Sequence, residues 1–148
     1  MKTIESFGAD ETKAIGFALG AALPKGSVVA LFGDLGAGKT AFTSGFVKGR
    51  GINAHVSSPT FALVNEYSSE GETVYHFDMY RITSWDDLYS TGFSDYLDAG
   101  QTLIIEWSEN IENALPDDCV RVNIIKTAEE THRIIELTGC DDIEIACD

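Results

Sequence analysis

Apolar positions along the chain recur at two spacings, and the alternation between them sketches the fold. Behind Asp10, which reads as an N-cap, Ile15, Ala18, Leu19, Ala22 and Leu23 lie on one helical face, and Pro24 and Gly26 close the segment. Ser27-Val28-Val29-Ala30-Leu31-Phe32 is too short for a helix and reads as a strand buried on both faces, as in a parallel sheet. A helix is expected from Lys39 to Arg50, with Phe42, Phe46 and Val47 inward and Gly51 at its C′ position. Phe61–Tyr67 and Thr73–Phe77 read as an antiparallel hairpin joined through residues 68–72. Ser84-Trp85-Asp86-Asp87 resembles a capping box opening a short helix that Gly92 closes.

Thr102–Trp107 reads as a second buried strand. Val120–Ile125 and His132–Leu137 read as an antiparallel pair at a sheet edge. The tail Cys140–Asp148 fits either an extra edge strand or a frayed end. Helices and strands interleave, so the class is α/β with a mixed parallel and antiparallel sheet, and 148 residues suit one domain, 1–148.

Charge changes this picture more than composition does. Ten Lys and Arg face 24 Asp and Glu, a net charge of −14, so tight independent binding to a phosphate backbone is unfavourable. The imbalance is uneven: residues 1–50 carry six basic and four acidic side chains, and residues 51–148 four basic and twenty acidic. The first third is therefore the expected home of an anionic ligand. The acidic remainder could form a docking face for a basic partner. The N-terminus has no apolar run resembling a signal peptide and no stretch suits a membrane span, so a soluble, cytoplasmic protein is expected. Cys119, Cys140 and Cys147 form no Cys-x-x-Cys pair, and with His55, His76 and His132 scattered, zinc-ligand spacing is absent.

The sharpest chemical signal is Gly33-Asp34-Leu35-Gly36-Ala37-Gly38-Lys39-Thr40, which matches G-x-x-x-x-G-K-[ST] between an expected strand and an expected helix. Glycines let the loop curl so that successive amides face one concavity, and the helix start adds free N–H groups for phosphate oxygens. Lys39 would reach the β- and γ-phosphates, and Thr40 would ligate Mg²⁺. A second acidic residue near the metal is expected at the end of a buried strand. Two candidates meet that description: Ile104-Ile105 runs into Glu106 and His76-Phe77 into Asp78. Either carboxylate could hold the metal while the other orients a water. Thr60, in the polar loop Ser57-Ser58-Pro59-Thr60, is a candidate γ-phosphate sensor. No Asp-x-x-Gly and no Asn-Lys-x-Asp is present, which favours adenine over guanine.

The phosphate loop, Ser58-Pro59-Thr60-Phe61 with Asn65-Glu66-Tyr67, His76-Phe77-Asp78-Met79-Tyr80-Arg81 and Ile105-Glu106-Trp107 together resemble the TsaE (YjeE) family. These are small bacterial ATPases of tRNA threonylcarbamoyladenosine biosynthesis. The resemblance implies a three-layer P-loop NTPase-like fold and an ATPase using ATP and Mg²⁺. It implies two protein partners that carry out threonylcarbamoyl transfer, with tRNA met only indirectly. By position it implies Lys39 and Thr40 as phosphate and metal ligands, Glu106 as the second metal-site residue, and Asp78 and Thr60 as switch residues supporting hydrolysis. It also implies Trp107 as a neighbour of the nucleotide, the Ala9–Thr12 segment, Thr12 included, near adenine, and Arg133 as a further nucleotide contact. Two other classes compete: a small-molecule or nucleotide kinase, disfavoured by only four scattered arginines, and a non-catalytic nucleotide-gated module.

Overall fold

The computed structural model describes residues 1–34, 36–57 and 64–140, and its elements follow the expected alternation with additions at both ends of the sheet. In chain order these are β1 (Lys2–Ser6), α1 (Ala9–Ala22), β2 (Val28–Phe32), α2 (Lys39–Gly49), β3 (Val64–Ser69) and β4 (Glu72–Asp78). Then come α3 (Trp85–Ser90), α4 (Phe93–Asp98), β5 (Thr102–Glu106), a 3₁₀ segment (Ser108–Ala114), β6 (Val120–Lys126) and β7 (Arg133–Thr138). Seven strands form one sheet in the order β1-β7-β6-β2-β5-β4-β3. The central strands β6, β2, β5 and β4 run parallel, and β3, β7 and β1 are antiparallel additions.

Side-chain alternation on the central strands separates two cores. Val29 and Leu31 of β2, Val74 of β4 and Ile104 of β5 pack under α1 and α2 with Leu19, Phe42 and Phe46. Ala30 of β2, Phe77 of β4 and Leu103 and Ile105 of β5 face the opposite side, against Leu88, Phe93 and Ile111 from α3, α4 and the 3₁₀ segment. The result is the three-layer α/β arrangement with a mixed sheet that was expected. Among the described residues no helix is long and apolar enough to cross a membrane.

The seam between α1 and α2 is made of backbone. A Cβ on Gly16 would lie 2.2 Å from the Phe42 carbonyl oxygen, one on Gly20 2.3 Å from that of Phe46, and one on Gly45 1.9 Å from that of Lys13. Glycine at these positions lets the helices touch without intervening side chains. Arg50, the C-cap of α2, locks the seam: its guanidinium donates to the Gly20 and Leu23 carbonyls at the end of α1 and pairs with Glu72 of β4 at 2.9 Å. α1 has no basic residue in its own last turn, so Arg50 supplies the charge that a helix C-terminus favours. Gly51 follows in the left-handed region (φ +84°). Its N–H bonds Lys48 O and that of Ile52 bonds Val47 O, which makes the helix end a Schellman motif.

Four local expectations are corrected. The N-cap of α1 is Gly8, with Asp10 in the first turn, where its charge still suits the helix start. The chain's first residues form β1, which pairs with β7 and is itself the edge, so β6 and β7 are interior. Ile4 is its one aliphatic residue, too little for an alternation signal. Gly92 ends α3 but also caps a further short helix, α4. Finally, β5 stops at Glu106, and Trp107 turns out of the strand. The Ser84 cap is as expected, its hydroxyl accepting from Asp87 N–H at 3.1 Å. The start of the expected hairpin at Phe61 and the tail 141–148 lie outside the described residues; within them the hairpin is β3–β4, with a tighter turn at Glu70-Gly71.

Candidate functional site

Parallel strands place their C-terminal ends at one edge of the sheet, and three chemically loaded segments meet there: the loop after β2, Asp78 at the end of β4 and Glu106 at the end of β5. Asp78 and Glu106 are register partners, so the two carboxylates leave the sheet side by side on the α1/α2 face. Backbone freedom at two glycines shapes the loop. Gly33 has φ +151°, with the Ile124 carbonyl 2.7 Å from where a Cβ would sit, and Gly38 has φ +113° as the N-cap of α2. No side chain caps α2, so its first amides stay available to an anion.

Lys39 is almost fully buried. Its Nζ donates to Gly33 O at 2.6 Å and lies 3.5 Å from the centroid of the Trp107 ring. Burial lowers its pKa from the ordinary lysine value, although Glu109, Glu106, Asp78 and Asp34 all pull the other way. The ammonium is thus held short of the compensation that water would give it, beside a loop of free amides.

Trp107 is the one non-glycine residue with positive φ among the described residues (φ 57°, ψ 40°). Its ring also packs on Tyr80 at 4.9 Å. A bulky residue in that region costs about 1–3 kcal/mol, and such conformations cluster at functional sites. Neighbouring polar groups fix the surrounding backbone. Asn110 Nδ2 donates to the carbonyls of Met79 and Tyr80, and Asp78 Oδ1 accepts from Tyr80 N–H at 2.9 Å. On the far side of the loop, Arg133 Nε donates to Ala37 O at 2.9 Å and its Nη2 to Gly36 O at 3.3 Å. Phe7, exposed at the end of β1, stacks on His132 at 4.8 Å beside this arginine.

Of the residues singled out from sequence, Gly33, Asp34, Gly36, Ala37, Gly38, Lys39 and Thr40 form the loop and helix start, and Asp78, Glu106 and Trp107 converge on Lys39. Arg133 braces the loop through its carbonyls. Thr12 is buried next to Gly38, with its hydroxyl bonded to Ser6 Oγ at 2.7 Å. Leu35, Thr60 and Cys147 lie outside the described residues.

Two participants escaped the sequence reading. Glu109 accepts from Gly33 N–H at 3.0 Å, reaching the loop from the 3₁₀ segment, and no pattern in the chain marks it. His76 is fully buried and hydrogen-bonded through Nε2 to Glu106 Oε2. The two-residue period from Asp78 would have placed it on the same face, a signal present in the strand. Among the described residues no three His, Cys, Asp or Glu side chains gather as a metal cage. A sparse donor set suits Mg²⁺, which keeps waters and takes one or two protein oxygens beside substrate phosphates.

Comparison with known proteins places the chain in a family and supports its fold. The family model described as "Threonylcarbamoyl adenosine biosynthesis protein TsaE" matches residues 7–135. The tRNA threonylcarbamoyladenosine biosynthesis protein TsaE of Bacillus subtilis is 38% identical over 140 residues, covering 94% of this chain and 87% of the relative. The protein of the same name from Haemophilus influenzae is 44% identical over 100 residues, covering 68% of this chain and 63% of the relative. The crystal structure of Bacillus subtilis YdiB superposes with a TM-score of 0.76 at 33% identity, over 90% of this chain and 82% of that one.

Proposed function

The chain belongs to the TsaE family of tRNA threonylcarbamoyladenosine biosynthesis, and from that premise we propose that it binds and hydrolyses ATP with Mg²⁺ at the C-terminal edge of its sheet. The observation that carries the reading is Lys39: a buried ammonium, under-compensated by its surroundings, set between a glycine loop and two strand-end carboxylates. That environment is completed by phosphate oxygens. The amides of residues 36–40 and the α2 N-terminus bind the triphosphate, and Lys39 leaves the Gly33 carbonyl to neutralise charge building on the β,γ-bridge and γ-oxygens. Thr40 and Glu106 would hold Mg²⁺, which when bound neutralises phosphate charge and orients the γ-phosphoryl group. Asp78, beside Glu106, orients the attacking water, assisted by Thr60. Trp107, with Tyr80 behind it, forms a wall that excludes bulk water from Lys39. Arg133 keeps the carbonyls of Gly36 and Ala37 turned outward, so the opposite amides face the ligand. Adenine lies towards Thr12 and the Phe7–His132 stack.

On this reading the protein supplies an ATP-driven step to two partner proteins that perform threonylcarbamoyl transfer, in the cytoplasm, and meets tRNA only through them. Its acidic surface agrees with that division of labour. The test is release of free phosphate from Mg²⁺-ATP by the chain with and without those partners. Hydrolysis that vanishes in Glu106→Ala is expected. Transfer of phosphate to a small-molecule acceptor, or hydrolysis unchanged in Glu106→Ala, contradicts it.

A further inference from the structure

Behind Glu106 lies a chain of buried polar groups that the proposed chemistry does not use. His76 Nε2 bonds Glu106 Oε2 across the β4–β5 pair, and His76 Nδ1 lies 3.4 Å from Tyr67 Oη of β3. Tyr67 Oη in turn lies 3.2 Å from Ser57 O and 3.4 Å from Ser57 N, and Asn65 Nδ2 reaches both Tyr67 Oη (3.3 Å) and Ser57 O (3.2 Å). Ser57 is the residue directly before Ser58-Pro59-Thr60.

The donor count makes this more than a row of contacts. In the Nε2–H tautomer, the one that donates to a Glu106 carboxylate, His76 Nδ1 is left to accept. The Tyr67 hydroxyl accepts from Ser57 N–H and Asn65 Nδ2, which uses both of its lone pairs. Its single proton then has two acceptors, Ser57 O and His76 Nδ1, and satisfies one at a time. The Tyr67 hydroxyl thus links the Ser57 backbone to the imidazole that holds Glu106.

We propose that His76 is a positioning residue for Glu106 and that Tyr67, held against the Ser57 backbone, fixes the imidazole in turn, so that this buried relay sets the orientation of the metal-site carboxylate. The inference rests on the ATPase reading above and deepens it by naming two further residues that position the same site. A sheet interior supplies the rigidity: His76 is fully buried and Glu106 nearly so, leaving the carboxylate no solvent-facing alternative.

The test uses Mg²⁺-dependent ATP hydrolysis by the full chain with its pathway partners, following kcat, KM for ATP and the Mg²⁺ concentration for half-activity. His76→Leu removes the donor to Glu106 and should lower kcat or raise the Mg²⁺ requirement about 10- to 100-fold, with KM for ATP little changed. His76→Gln keeps an amide N–H near the Nε2 position and should recover part of that loss. Tyr67→Phe, which keeps the ring, should lower kcat in the wild-type background and add nothing in the His76→Gln background, where Nδ1 is gone. Should His76→Leu fail to fold, the Tyr67→Phe and His76→Gln pair still decides. Wild-type kcat in folded Tyr67→Phe, or a Tyr67→Phe effect undiminished in His76→Gln, overturns the coupling and leaves the ATPase reading standing. Absence of hydrolysis in the wild-type assembly overturns both.

Discussion

The α1–α2 seam and the C-terminal edge of β2, β4 and β5 are both buried, yet they are built on opposite terms. The seam contains almost no chemistry: Gly16, Gly20, Gly45 and Gly49 let two backbones meet, and Arg50 satisfies the helix end that results. The edge contains little else: a buried ammonium, a tryptophan in the left-handed region, and a His–Glu pair inside the sheet. One region maximises contact and the other withholds compensation, so stability and function should respond to substitution in opposite ways.

The largest effect is expected at the edge. Glu106→Ala should cut ATP turnover at least about 100-fold, the scale for removing one preorganised electrostatic contact, while circular dichroism stays near wild type and the thermal midpoint falls only by the cost of leaving His76 unpaired, about 1–3 kcal/mol. Next comes the seam. Gly45→Ala drives a methyl group towards the Lys13 carbonyl, 1.9 Å away before any shift. It should destabilise the fold by about 2–3 kcal/mol in denaturant titration. Turnover per folded molecule should stay intact, because no functional group lies in the seam. Arg133→Ala loosens the loop without removing a ligand. Losing a charged donor from Ala37 O and Gly36 O should raise KM for ATP about tenfold, with a smaller change in kcat.

The smallest effect has the most diagnostic sign. Lys39→Met removes a charge that burial disfavours, so the ligand-free midpoint should rise, by about 2–4 °C for a gain of about 1 kcal/mol, while ATP binding is lost. Because the folded-state pKa of Lys39 is lowered, the unfolded chain holds more protons between that value and the ordinary lysine pKa. Wild-type stability therefore gains as pH rises through that window, and the advantage of Lys39→Met should shrink there.

The two regions were also unequally legible in the sequence. The phosphate loop declares itself because its chemistry depends on backbone: glycine spacing, a preceding apolar strand and a following helix all appear as local pattern. Glu106 and Asp78 were visible as acids ending apolar runs, and their pairing only required β4 and β5 to be adjacent. Glu109 was not legible, because it reaches Gly33 across 76 positions from an irregular segment. The conformation of Trp107 was hidden too, since aromatic residues ordinarily continue strands. β1 escaped because an edge strand with one buried face needs few apolar residues. Gly16 and Gly45 sat in plain view inside helices, where glycine costs about 1 kcal/mol relative to alanine, yet only the packed pair shows what they permit.

Calorimetric titration of Mg²⁺-ATP into wild type and Lys39→Ala tests the central claim most directly. One saturable site in the wild type, lost in a Lys39→Ala protein whose thermal midpoint is not lowered, is the expected result. Equal affinity in the two proteins would contradict the assignment of the sheet's C-terminal edge as the nucleotide site.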